Sequence, residues 1–186
     1  MITLYRLEPE CPGGWGPGTV VDNQDRLESG EDSIPVLSAL EAEFNVWLGD
    51  DLLDVVGCLV TERLAIAIVS AKLTGCELRR VKITTADYFL DSLEQIFPDR
   101  AFPSFRWLVP GGVVKYSSSG AVSEWSGHDV CMGLNTNYPE NLSIDFVGLV
   151  PGRYALVVSQ RALDVFNGFQ LDNCEIVPMV LQSSAS

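Results

Sequence analysis

His128, the only histidine of the chain, stands in the string Gly127-His128-Asp129-Val130-Cys131. These are the residue types of cysteine catalysis: a base that deprotonates the thiol, the thiol itself, and an acid that orients the base. Catalytic partners normally meet through the fold, so adjacency in sequence is weak support. No Gly-rich elbow surrounds a serine, and no HExxH, Walker or paired His/Cys pattern accompanies the string. A loop histidine next to a buried cysteine is the favoured reading. A small cysteine-dependent hydrolase using Cys131 and His128 is therefore an alternative reading.

Arg63 and Arg161 pose a sharper physical problem. Each falls in the first turn of an expected helix, where a cation faces the positive end of the helix dipole. One solution is an anion site at the helix N-termini, with backbone amides and arginine converging on a carboxylate or phosphate. The other is an internal ion pair, with Asp50 or Asp51 serving Arg63 and Asp145 serving Arg161. The internal pairs are the favoured reading, because a net charge of −13 discourages free anions.

The remaining candidates are surface groups. Asp50, Asp51, Asp54 and Glu62 concentrate acid in one stretch but match no calcium-loop spacing, so no metal is expected there. The loop CPGGWGPG (11–18) contains GxGxG, yet Pro17 removes a backbone donor and no helix pattern follows. A Gly/Pro turn with Trp15 packed over it is expected instead. Trp47, Trp107 and Trp125 are the residue type enriched at protein interfaces. Trp107 reads as core, and Trp47 lies in a strand-like run that also suits core. With His128, the candidate interface is Trp47, Asp50, Asp51, Asp54, Trp125 and His128. Cofactors are expected to be none.

The elements that must position these groups are set by a repetition. Residues 58–83, CLVTERLAIAIVSAKLTGCELRRVKI, return as 156–181, LVVSQRALDVFNGFQLDNCEIVPMVL, at a constant spacing of 98 (61 to 159, 76 to 174). Thr61 and Ser159 are expected N-caps, whose hydroxyls accept from a free amide of the first turn. Leu64, Ile68 and Ala71 form one inward stripe, and Ala162, Val165, Phe166 and Phe169 the other. Gly75 and Asn173 hold matching positions and are expected to end the helices in left-handed conformation. Strands should restart at Cys76 and Cys174. Another helix is expected from Thr84 or Thr85 to about Phe97, and residues 22–32 read as an exposed loop.

The expected fold is α+β: a mixed, mostly antiparallel sheet with two repeated strand-helix-strand units sharing one core. The chain of 186 residues should form one domain, with 117–141 as an irregular insertion. Five cysteines without a CxxC pair suggest neither a disulfide framework nor zinc. The apolar stretch 52–71 is broken by Asp54, Glu62 and Arg63, short of the roughly 20 residues a bilayer needs. Arg6, Glu8 and Glu10 stand where a secretory signal would be apolar, so a cytoplasmic location is expected. The acidic balance opposes nucleic-acid binding.

The strings WLGDDLLDVVGCLVTERLAIAIVSAKLTGCELRRVKI, FRWLV, Asp145-Phe146 and LVVSQRALDVFNGFQLDNCEI resemble a group of bacterial proteins similar to the immunity proteins of polymorphic toxin systems. The resemblance spans 44–180, with 117–141 matching poorly. It implies a non-catalytic cytoplasmic module that binds and neutralises a cognate toxin, with no catalytic residues carried over. A structural or regulatory homo-oligomer is a further alternative, since a mixed sheet leaves edge strands open. Because the matched positions read as scaffold, function is expected in the stretches the two copies do not share, 47–54 and 117–141.

Overall fold

The computed structural model describes residues 3–29, 35–55, 57–116, 122–127, 145–150 and 156–180. In chain order they form β1 (Thr3–Glu8), β2 (Gly13–Trp15), β3 (Val20–Val21), α1 (Gln24–Glu28), β4 (Leu37–Ala39), β5 (Glu41–Phe44), β6 (Leu52–Asp54), β7 (Cys58–Thr61), α2 (Glu62–Ser70) and β8 (Cys76–Arg80). There follow β9 (Lys82–Thr85), α3 (Phe89–Ile96), β10 (Phe105–Pro110), β11 (Gly112–Tyr116), β12 (Val122–Gly127), β13 (Phe146–Val150), β14 (Leu156–Ser159), α4 (Gln160–Phe166) and β15 (Glu175–Val180). The fold is mixed α/β, with several mostly antiparallel sheets and four helices among the described residues. None of these helices is long and apolar enough to cross a membrane.

Two sheets carry the architecture. One runs β6-β7-β10-β8, and the other contains β13-β14-β1-β15, extended by β11 and β12 beside β13. Their registers correspond. Phe105 faces Thr61 as Leu4 faces Ser159, and Leu108 faces Leu78 as Leu7 faces Ile176. On the outer side, Leu52 faces Val60 as Phe146 faces Val158. The third strand has a different origin in each sheet. In one it is β10, which follows α3; in the other it is β1, the first strand of the chain, inserted between β14 and β15.

Alternation along each strand divides the interior into two cores. Cys58, Val60, Leu52 and Leu108 point into a cluster shared with Leu64 and Ile68 of α2, Ala162 and Phe166 of α4, and Leu7, Leu156 and Val158 of the other sheet. Leu59, Leu53 and Trp107 point the opposite way, into a second cluster. A three-stranded sheet, β2-β5-β9, and α3 contribute Ala42, Phe44, Phe89 and Leu93 to that cluster. Because β7 is covered on both faces, all four of its residues are buried, and its sequence is continuously apolar up to the cap rather than alternating. Phe102 packs at the centre of the second cluster, with ring centroids 5.2 Å from Phe44, 5.0 Å from Phe89 and 5.6 Å from Trp47.

Several boundaries differ from expectation. The left-handed residue that closes α2 is Lys72 (φ 52°), not Gly75. The Leu73 amide donates to Ile68 O at 3.1 Å and the Lys72 amide to Val69 O at 3.0 Å. That is a Schellman closure with lysine in the place where glycine is cheapest. Gly75 (φ 84°) turns the chain three residues later. Asn173 is not left-handed either, since Lys72 is the sole non-glycine residue with positive φ among the described residues. Thr84 and Thr85 do not start a helix. They complete β9, which pairs parallel with β5, and α3 begins only at Phe89. A short helix, α1, forms inside the stretch 22–32 that reads as loop.

Lys72 is exposed, so its backbone strain is open to relief without repacking. Lys72→Gly is expected to raise stability by about 0.5–1 kcal/mol, the left-handed cost less the added chain entropy. A urea midpoint at or below that of the wild type would contradict this.

Candidate functional site

The residues singled out by chemistry converge where the two helices begin. Asp51 lies just before β6 and is fully buried. Its carboxylate accepts from the Thr61 hydroxyl, from Arg63 Nε at 2.6 Å and from Arg63 Nη2. It also accepts from the Gln170 amide at 2.9 Å, beyond the far end of α4. Asp145 stands just before β13 and is buried as well. It accepts from the Ser159 hydroxyl at 2.7 Å, Arg161 Nη1 at 3.0 Å and the Thr74 amide at 2.8 Å, beyond the far end of α2. The main chain repeats the pattern. The Asp51 amide donates to Gln170 O at 2.8 Å and the Asp145 amide to Thr74 O at 2.9 Å.

Each acid therefore solves two problems. It supplies the anion that a first-turn arginine requires, and it satisfies an otherwise unpaired amide in the loop after the other helix. Each cap hydroxyl is used twice, donating to the acid and accepting from Leu64 N or Ala162 N. The arginines also cross over. Arg161 Nη2 donates to Ala71 O, and to Lys72 O at 3.0 Å, at the negative end of α2. Arg63 lies 5.8 Å from the centroid of the Phe169 ring, past the end of α4. The position that a free anion would take at each helix N-terminus is filled by the protein's own carboxylate.

Three members of the candidate interface are not at the surface. Trp47 is buried among Phe97 and Phe102, donates from Nε1 to Asp50 O at 3.0 Å and has Arg100 4.6 Å above its ring. Asp50 is fully buried, accepting from the Asn173 amide at 2.8 Å and from its Nδ2 at 3.2 Å. Asp51 is engaged as above. Burial agrees with the core reading of Trp47 and the internal-pair reading of Asp51 rather than with their place in the candidate interface: unsatisfied loop amides draw Asp50 and Asp51 in, and an aromatic cluster holds Trp47. Asp54 is half-buried and accepts from the Gly57 amide at 3.3 Å. Trp125 lies in β12 opposite Val114. His128 and Cys131 lie outside the described residues.

The cysteines of the matched segments are not poised as nucleophiles. Burial, then the nearby charge of Asp145, pushes the Cys76 thiol up to about 12. Burial, then the Asp50 charge, does the same to Cys174, also to about 12. Cys58 is pushed up by burial inside the shared core. At neutral pH these groups are thiols rather than thiolates. The Gly-rich loop is equally occupied. The Gly16 amide donates to Glu41 O at 2.8 Å, and a Cβ at Gly16 would stand 2.6 Å from Glu41 Cγ. The loop encloses a buried carboxylate whose partner is Lys82 at 2.8 Å, a lining unsuited to phosphate. Among the described residues, no group of three or more His, Cys, Asp or Glu is placed to hold a metal.

Sequence reasoning missed Glu10. Its Oε2 is buried without a hydrogen-bond partner, and burial, then the charge of Asp50, raises its carboxyl above the ordinary value. Nothing in the sequence around Glu10 signals this, because Asp50 is 40 residues away. Comparison with protein-family models and with curated proteins finds no match for the chain.

Two titrations test the cluster. Burial would raise the Asp51 carboxyl, but the Arg63 and Thr61 side chains, the Gln170 amide and the Arg63 charge together hold it below its ordinary 3.8. Its contribution is thus full above the unfolded-state value and is lost as pH falls through the folded one. Asp51→Ala is expected to cost about 3 kcal/mol at pH 7, with the gap to wild type narrowing below about pH 4. A gap independent of pH in urea titrations would refute the assignment. Glu10 has the opposite sign: its folded value lies above the ordinary 4.5, so the stabilisation from its protonated form is lost as pH rises. Glu10→Gln should be more stable than wild type at pH 7 and indistinguishable from it at low pH; a destabilised variant at pH 7 would contradict this.

Proposed function

We propose that the protein is a non-catalytic binding module that neutralises a cognate bacterial toxin by direct contact, and that its scaffold is two copies of one strand-helix-strand unit. Support for the duplicated scaffold comes from the matching registers of the two four-strand arrays and the paired roles of Asp51 and Asp145. Support for the binding role comes first from the resemblance of 44–180 to immunity proteins.

The observation that carries the binding reading is how the central charged groups are employed. Asp50, Asp51, Asp145, Arg63 and Arg161 are all committed to internal contacts that fasten one half to the other. A site built to receive substrate keeps polar groups turned toward an open position. Here the chemistry-bearing cluster is closed by the chain itself, which leaves the outer surface to make contacts. Such a role needs about 800 Å² from this partner.

Co-expression with each toxin encoded beside the gene should restore growth, and the two purified proteins should form a stable complex. Failure to protect against any of those toxins would overturn the reading. Protection by toxin modification, without complex formation, would overturn its non-catalytic part.

A further inference from the structure

We infer that the protein forms a two-fold dimer through the free edge of β8, with the β8 strands of two copies paired antiparallel about Leu78. The inference is independent of the toxin-binding role proposed above.

The backbone defines the edge. Pro110 stands opposite Cys76, and proline has no amide hydrogen, so that pair is a non-hydrogen-bonded position of the β10 ladder. The next pair along is bonded, the Gly111 amide donating to Gly75 O at 2.6 Å. Alternation then turns the backbone groups of Glu77 and Arg79 toward β10 and those of Leu78 and Arg80 away from it. Among the described residues β8 is the last strand of its sheet, and no other segment hydrogen-bonds to the backbone of Leu78 or Arg80.

The comparable edges are managed. At the other end of the same sheet β6 is covered: Leu52 and Leu53 are fully buried, and the Asp54 amide donates to Glu10 O at 2.8 Å. In the second sheet the last strand, β15, carries Pro178 opposite Tyr5. That pair must also be non-hydrogen-bonded, so the donor that proline lacks is one that would face the open side. Pro178 follows Arg80 by 98 residues, the constant spacing of the sequence repetition. Proline thus blunts one edge at the place where the other presents an amide.

The charges of β8 select both the occupant and the register. When two such edges meet antiparallel, outward residues must face outward residues. Centred on Leu78, the pairing sets Leu78 against Leu78 of the second copy, and Glu77 against Arg79 on both sides of the axis. Centring on Glu77, Arg79 or Arg80 instead sets like charges directly opposite, which is destabilising. Arg79 is already held on the relevant face, donating to Glu77 from Nε at 2.8 Å and from Nη2 at 2.6 Å, with its guanidinium 5.4 Å from the centroid of the Trp107 ring. Dimerisation joins two such pairs into a ring of alternating sign. Each copy carries a net charge of −13, but charges separated by more than about 8 Å are largely screened at physiological salt, so those at the edge itself decide.

Sedimentation velocity of the full chain over a concentration series tests the edge. The wild type should pass from a 20.3 kDa species to one of twice that mass as concentration rises. Glu77→Arg and Arg79→Glu each set like charges across the axis, and each should raise the dissociation constant by about tenfold or more. An equimolar mixture of the two variants should recover the dimer, because every facing pair then has opposite signs. Arg80→Pro reproduces the β15 edge in β8 and should stay monomeric with unchanged thermal unfolding, since the amide it removes has no ladder partner. A wild type that is monomeric throughout would overturn the inference and leave the edge to a segment of another protein. Dimers that persist in both single charge variants, or a mixture that stays monomeric, would overturn it equally, whether or not Arg80→Pro folds.

Discussion

Two buried aspartates, Asp51 and Asp145, hold this structure in its particular arrangement. Each sits at the entrance to its own helix and fastens the loop that leaves the other, through one side-chain and one main-chain hydrogen bond. The result is reciprocal: neither helix N-terminus is complete without the far end of its partner. A buried carboxylate is expensive to desolvate, and a pair of packed aliphatic residues would stabilise as well or better. Charge supplies direction instead. An aspartate facing a cap hydroxyl, a guanidinium and a backbone amide accepts only one relative placement of the two halves, whereas apolar contacts between α2 and α4 would tolerate sliding.

That placement determines what the rest of the chain must do. With both helices packed into the shared core, the far face of β7 and β10 is left apolar by alternation, since Leu59 and Trp107 must point away from Val60 and Leu108. Something has to cover it. The three-stranded sheet and α3 do so, and the aromatic cluster around Phe102 is the contact they share. The closing of the second sheet by β1 follows the same need, because β14 and β15 leave a strand-wide gap between them. The chain's first strand fills it, which ties the beginning of the fold to its end.

How far this was legible in sequence depended on the range of the interaction. The caps at Thr61 and Ser159 were readable because capping needs only a hydroxyl and an amide three residues on. The pairing of Asp145 with Arg161 was also readable, while Asp50 and Asp51 were equivalent on paper and only Asp51 faces Arg63. Gly75 misled, because the left-handed position is set by where the helix runs out of ladder partners, and that is Lys72. Thr84 and Thr85 misled for a tertiary reason: their amides and carbonyls are within reach of β5, and pairing overrode a plausible cap. The insertion of β1, the contacts to Gln170 and Asn173, and the burial of Glu10 beside Asp50 depend on residues far apart along the chain. No periodicity records them.

The same distinction separates scaffold from surface. Matched residues that look chemical, Asp, Arg, Thr or Ser, and Cys, are matched because both halves must solve the same packing problem. Burial and a neighbouring carboxylate raise the matched thiols alike, Cys76 near Asp145 and Cys174 near Asp50. The outward side of α3 is under no such constraint. Its inner residues, Phe89 and Leu93, are dictated by the core, whereas Asp87, Leu90, Asp91 and Glu94 are exposed. Asp91 in the first turn suits the positive end of the helix dipole, and exposed carboxylates aid solubility, so the acid of this face answers to solvent and to its own helix rather than to packing between the two sheets.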